Sequence, residues 1–154
     1  MMERTGIDEH ILIHCLDGAG WVEVAGRRWP LAAGGLAICP AGQPHAYAAD
    51  SADPWTIRWV HFRGDGCIGL LEHLGLSTTN PVLCAGPSAG AEALLRDCCR
   101  ILGGGYSYPL LLRASLSLAS FLAALLAPDA GLAPAEGCRS GERSELDAAS
   151  ILRL

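Results

Sequence analysis

Charge is scarce in this sequence. Only 18% of its 154 residues are Asp, Glu, Lys or Arg, and the formal net charge is −5. The eleven basic residues are scattered along the chain instead of clustered. Without a basic face to hold phosphates, the chain itself is not expected to grip DNA. Metal-type cysteine spacing is missing as well. The seven cysteines, Cys15, Cys39, Cys67, Cys84, Cys98, Cys99 and Cys138, include no C-x-x-C pair. Several sit in apolar runs, which argues against a zinc site or disulfide framework and for reduced, mostly buried thiols. The first fifteen residues carry Glu3, Arg4, Asp8 and Glu9 and lack the apolar centre of a secretion signal. A bilayer-spanning run is also lacking. Residues 108–127 are nearly all apolar, but Pro109, Arg113 and interspersed serines interrupt them, and the part after Arg113 falls short of the roughly 20 residues a span requires. No paired carboxylates stand at catalytic spacing, and Gly103 to Gly105 is followed by no P-loop lysine. These absences point to a cytoplasmic protein with no membrane contact.

What is present is apolar bulk in short, punctuated segments. Hydrophobic residues make up 51% of the chain, enough for one domain with a sizeable core. His10 to Leu16 alternates, with Ile11, Ile13 and Cys15 on one face, and reads as a strand. Trp21–Val24 and Arg27–Leu31 read as two strands joined through Ala25-Gly26, with Pro30 at an edge or a bulge. Leu36–Cys39 and Trp55–Phe62 are further strands. Between those two lies the stretch that organises the rest, Gly34 through Pro40, Gly42, Pro44, His45 and Tyr47. Pro40 fixes its φ and Gly42 tolerates φ > 0, so a tight hairpin is expected there, aiming His45 and Tyr47 at one side.

From Gly66 the period becomes helical. Leu70, Leu71 and Leu74 share a face and Gly75 is a natural stop. Val82 to Cys84 is β-like. Ser88 suits the N-cap of a helix whose stripe is Ala91, Leu94, Leu95, Cys98, Ile101 and Leu102, ended by Gly103 to Gly105. A third helix, about Ser107 to Leu126 with Pro109 in its first turn, is apolar nearly all round and calls for cover beyond one neighbour, which motivates a homodimer. Residues 128–143 have linker composition. Residues 144–154 restart a helical pattern whose apolar face finds no partner in the remaining chain.

Gly34, Pro40, Gly42 and His45 match the second motif of the cupin barrels in spacing, with Ala49 where that motif ends in asparagine. Trp55-Thr-Ile-Arg-Trp59-Val60-His-Phe62-Arg63, with Gly18-Ala-Gly20-Trp21 ahead of it, resembles the sensor domain of AraC-type transcription regulators. The resemblance implies a mainly β fold with α: a cupin-like, double-stranded β-helix barrel followed by a C-terminal helical pair. It divides the chain into a barrel over 1–65, a helical dimerisation region over 66–127, a linker over 128–143, and over 144–154 the opening of a helix-turn-helix DNA-binding domain.

It also implies a function. A small-molecule effector, with a monosaccharide as the candidate class, would bind in the barrel near Tyr47, His45 and Trp59, with Trp55, Ile57 and Asp17 as the other candidate ligand-binding residues. The helices would hold a homodimer, and DNA would be reached only through the missing C-terminal domain. Tyr47 and Trp59 match aromatic positions lining the pocket of the arabinose-responsive member, and Trp55 extends the wall. Asp17 stands where that member has an arginine and Ile57 where it has a histidine, which counts against arabinose itself. Cupin enzymes hold a metal through a histidine at the position of His45, but need further ligands, usually a His-x-His and a Glu. Here the corresponding region offers Asp17 and Glu23, with His14 and His61 elsewhere, so no metal, no cofactor and no catalytic activity are expected, and His45 is a hydrogen-bonding or structural residue. The alternative is a metal-dependent cupin enzyme, an isomerase or dioxygenase. A barrel that dimerises and binds nothing is the blander third reading.

Overall fold

The computed structural model describes residues 2–4, 7–83 and 89–126. Eight strands and three helices follow one another: β1 (Met2–Arg4), β2 (His10–Asp17), β3 (Ala19–Val24), β4 (Arg27–Ala32), β5 (Leu36–Cys39), β6 (His45–Ala49), β7 (Thr56–Phe62), α1 (Asp65–His73), β8 (Val82–Leu83), α2 (Ala89–Gly103) and α3 (Tyr108–Leu126). The strands form two four-stranded sheets, β1-β6-β3-β4 and β7-β2-β5-β8, whose named strands all pair antiparallel.

Strand parity explains how the two sheets divide the core. On β2, Ile11, Ile13 and Cys15 join Val22, Val24 and Leu31 of the other sheet and Ala37, Cys39 and Val82 of their own in one buried cluster between the sheets. Leu12 points the opposite way, and with Leu36, Ile38, Val60 and Phe62 meets the helices. Because β2 is covered on both faces, His10 to Cys15 is buried without a break, a continuous run of the kind central strands show. By contrast β4, an edge strand, is largely exposed and accommodates Pro30 opposite Trp21. Ala25 (φ 50°) and Gly26 (φ 77°) both take positive φ, as a two-residue turn between twisted strands demands.

The expected tight hairpin around Pro40 and Gly42 is corrected. β5 and β6 belong to different sheets: β5 pairs with β2 and β8, β6 with β1 and β3. The connection is a bridge across the core and not a hairpin. The local chemistry read from the sequence is present, with Gly42 at φ 74°, but the five residues from Pro40 to Pro44 tie to other segments. The Gly42 amide donates to the Ile7 carbonyl at 2.8 Å and the Ala41 amide to His10 Nδ1 at 3.2 Å. A Cβ at Gly42 would meet nothing within 4 Å, so glycine is there for its φ alone.

The helices pack on the outer face of β7-β2-β5-β8. α1 ends where Gly75 takes φ 70°. There the Gly75 and Leu76 amides bond the carbonyls of Glu72 and Leu71, a left-handed cap in which Leu76 also folds back over Leu71 in the core. α2 buries Ala91, Leu95, Cys98 and Ile101, the expected stripe. α3 lays Ala114, Leu118, Phe121, Leu122 and Leu125 into the same cluster, and Ser117 Oγ donates to the Leu94 carbonyl of α2 at 2.9 Å. Its far side stays apolar and exposed: Tyr108, Leu111, Leu112 and Leu116. By length and composition α3 passes as a membrane span, with a mean hydropathy of 1.5 over Tyr108–Leu125, though a core helix passes the same test. Ser88, Cys84 and the segments read as linker and helix-turn-helix opening lie outside the described residues.

Candidate functional site

His45 opens β6 and is buried, with 3% of its surface exposed. Its register partner on β3 is Val24, and that of Tyr47 is Val22. Directly opposed residues of an antiparallel pair share a face, so His45 and Tyr47 point, with Val22 and Val24, into the space between the sheets. His45 Nδ1 lies 3.0 Å from the Gln43 carbonyl. A carbonyl only accepts, so Nδ1 carries the proton, and in the neutral ring Nε2 is left as a bare acceptor. That Nε2 is buried and has no hydrogen-bond partner among the described residues.

Hydrocarbon, ring and thiol groups lie beside it on the inner face, and His61, opposite Ile11, belongs to the same face. Tyr47, Trp55, Ile57 and Trp29 pack half-buried against the inner cluster. Trp55 lies over the inner face of β3, where a Cβ on Gly20 would come within 2.2 Å of its ring. Burial pushes the Cys39 thiol up to about 12, and burial is also the main cause raising Cys15, so both stay neutral.

The six residues singled out from the sequence are thus distributed unevenly. His45, Tyr47, Trp55 and Ile57 gather on the inner face. Trp59 follows Ile57 on the same face of β7 and pairs with fully buried Ile13, yet is 56% exposed. Its ring meets His61 edge-on at 5.3 Å, and His61 bonds Glu9 at 2.9 Å. Since β7 is an edge strand, the inner face runs out into solvent at Trp59, which stands at an opening and not on a closed wall. Asp17 is exposed at the end of β2, where the register to β7 shifts.

On the opposite face of β7, Arg58 bonds Glu92 in the first turn of α2 at 3.0 Å. The Arg58 guanidinium holds the Glu92 carboxyl below its ordinary value. His14, the register partner of Arg58, is buried there, with Nδ1 unpartnered among the described residues. Burial lowers its pKa, with Glu92 opposing and Arg58 reinforcing the shift. This sheet-to-helix cluster was not legible in the sequence, since Arg58 and Glu92 are 34 residues apart. The sequence also holds a G-x-S-x-G spelling, Gly86 to Gly90, whose last two residues open α2. Its Ser88, a helix N-cap by sequence, is outside the described residues. Among the described residues no group of three or more His, Cys, Asp or Glu side chains is placed to hold a metal ion.

The MmsAB operon regulatory protein of Pseudomonas aeruginosa is 42% identical over 82 residues, covering 51% of this chain and 27% of that protein. A solved structure, the plu4264 protein of Photorhabdus luminescens, aligns over 49% of this chain and 62% of its own, with 16% identity and a TM-score of 0.38. A family model for the AraC-like ligand binding domain matches residues 1–126, and the chain belongs to that family.

Proposed function

We propose that this chain is the effector-sensing and dimerisation domain of a cytoplasmic AraC-type transcription regulator. A small molecule enters between the sheets beside Trp59 and settles against His45, Tyr47, Trp55 and Ile57. Its binding alters how the domain acts on the DNA-binding domain of such a regulator. The observation that carries this reading is His45 Nε2, a buried acceptor facing the sheet interior with no hydrogen-bond partner among the described residues. An unmet buried polar atom costs about 1–3 kcal/mol, and a ligand that donates to it recovers that loss. The regulator relative supports the regulatory setting. The dimerisation reading rests on the exposed leucines of α3. The linker over 128–143 and the regions 1–65 and 66–127 remain the proposed division of labour.

The test is a thermal-shift screen of the chain against pentoses, hexoses, sugar acids, hydroxy compounds and small aromatics. A ligand at a hundred times its dissociation constant stabilises by about 2.7 kcal/mol, and should raise the midpoint by roughly 5–10 °C. The shift should disappear in His45→Phe, which fills the same space without the acceptor. A panel in which no compound moves the midpoint contradicts the sensor reading.

A further inference from the structure

We propose that Trp55, seated in the space that Gly20 leaves, is the end wall of the effector site and sets the length of molecule the site accepts. This rests on the proposed sensor role and assigns it a size-determining pair of residues.

On the inner face of β3 stand Gly20, Val22 and Val24, and their register partners on β6 are Ala49, Tyr47 and His45. The imidazole thus lies at one end of this face, and a glycine facing an alanine lies two inward pairs away. Gly20 and Val24 are four residues apart, about 13 Å along a strand. Positive φ is not what keeps glycine at 20, unlike Gly18 and Gly42. The reason is space. A Cβ there would come within 2.2 and 2.4 Å of two atoms of the Trp55 ring and 2.6 Å of the Ala48 carbonyl oxygen. The indole therefore occupies the room that a side chain at 20 would fill, and it packs from there against the inner cluster.

The main chain fixes the ring from both flanks. Before it, the Asp50 amide donates to the Ala19 carbonyl and the Ala19 amide to the Asp53 carbonyl, each at 2.9 Å. Asp50 Oδ1 accepts from the amides of Ala52 and Asp53 at 2.8 and 3.2 Å, and Ala19 forms a β-bridge with Pro54. Gly18 lets that loop come close, since a Cβ on it would lie 2.6 Å from the Pro54 carbonyl oxygen. After it, Thr56 enters β7 opposite Asp17, and Ile57 opposite Cys15. The Gly18-Ala-Gly20 spelling thus admits residues 54 and 55 at two close approaches. A ring anchored on both sides does not swing away for a longer ligand, so the space between it and His45 bounds what fits.

The experiment compares the unsubstituted chain with Trp55→Ala, circular dichroism verifying the fold. The first probe is indole, the ring the variant lacks. It should raise the melting midpoint of Trp55→Ala by a few degrees and leave that of the unsubstituted chain in place, because a space left by a deleted side chain takes back a molecule of its shape. The second set of probes is every compound of the thermal-shift panel that moves the unsubstituted chain, each beside its benzyl derivative. The unsubstituted chain should bind the shorter member about 10-fold more tightly or better, and Trp55→Ala should reverse the order. Where Trp55→Ala does not fold, Trp55→Leu, which keeps apolar cover, is read in the same way. An unchanged size preference in a folded variant overturns the inference, whether or not indole binds, and leaves the sensor reading standing. An unsubstituted chain silent to the whole panel overturns both.

Discussion

At the scale of single residues, histidine chemistry dominates this domain. His10, His14 and His45 are its buried polar side chains among the described residues. The first two carry a testable consequence. Burial lowers the pKa of His10 and is the largest cause of lowering at His14, where Glu92 pulls up and Arg58 pushes down. His10 Nδ1 also accepts from the Ala41 amide, a bond that protonation would break. The folded state therefore prefers both rings neutral, while the unfolded chain takes up protons near the ordinary value of about 6.5. Their stabilising effect is complete above that pH and is lost as pH falls below it, at up to about 1.4 kcal/mol per pH unit for each ring. Urea midpoints should thus drop between pH 7.5 and 5.5, and drop less in His14→Gln; a His14→Gln profile parallel to that of the unsubstituted chain would exclude His14 as a source. The position of His45 was legible because a proline and glycine at fixed spacing announce it. Its bare Nε2 was not, since that depends on which ring nitrogen the Gln43 carbonyl captures. Trp59 was legible as an inner-face residue but not as an exposed one, because exposure follows from β7 lying at a sheet edge, and periodicity within a strand says nothing of the strand's neighbours.

At the scale of elements, boundaries set by local chemistry were read closely. β5 is Leu36–Cys39 as expected, and the glycines at 75 and 103 end their helices. Pairing was read less well. The segment from Pro40 to Pro44 has turn residues, and turn residues between two strands suggest a hairpin. Here they carry the chain from one sheet to the other, a choice made by β2 and β3 as competing partners. β1 escaped notice because Met2-Glu-Arg4 has no alternation; it is recruited by the open edge of β6, opposite His45 and Tyr47. α3 matched its expected span, and its exposed side supplies the test of dimerisation. Leu112 and Leu116 are 48% and 61% exposed, so replacing both with aspartate removes no core contact. Sedimentation should show the mass fall from about twice 16.1 kDa to 16.1 kDa with the melting profile preserved. A double variant that stays dimeric would move the interface off this face.

At the scale of the whole molecule, two layers of sheet enclose one apolar cluster and a layer of helices encloses a second, with β7-β2-β5-β8 shared between them. That sharing gives the proposed sensor its means of transmission. Ile57 and Trp59 face the inner cluster or its opening, while Arg58 between them holds Glu92 at the start of α2. A ligand that displaces β7 by favouring one arrangement over another also displaces the anchor of the helical layer, to the extent of its differential affinity for the two. The mainly β architecture and the AraC-like family were both readable from motif spacing, since those motifs are the turn and strand signals that build the sheets. The ligand was not, because specificity depends on side chains from both sheets meeting across a core.

The most direct test of the account is the imidazole of His45, followed by ¹⁵N NMR on the chain labelled at histidine, while a compound that raises the melting midpoint is added. The account predicts a bare, accepting Nε2 in the free protein, whose resonance alone among the five histidines moves strongly as it gains a donor, with Nδ1 keeping its proton on the Gln43 carbonyl. A saturating ligand that leaves the His45 Nε2 resonance in place would contradict it.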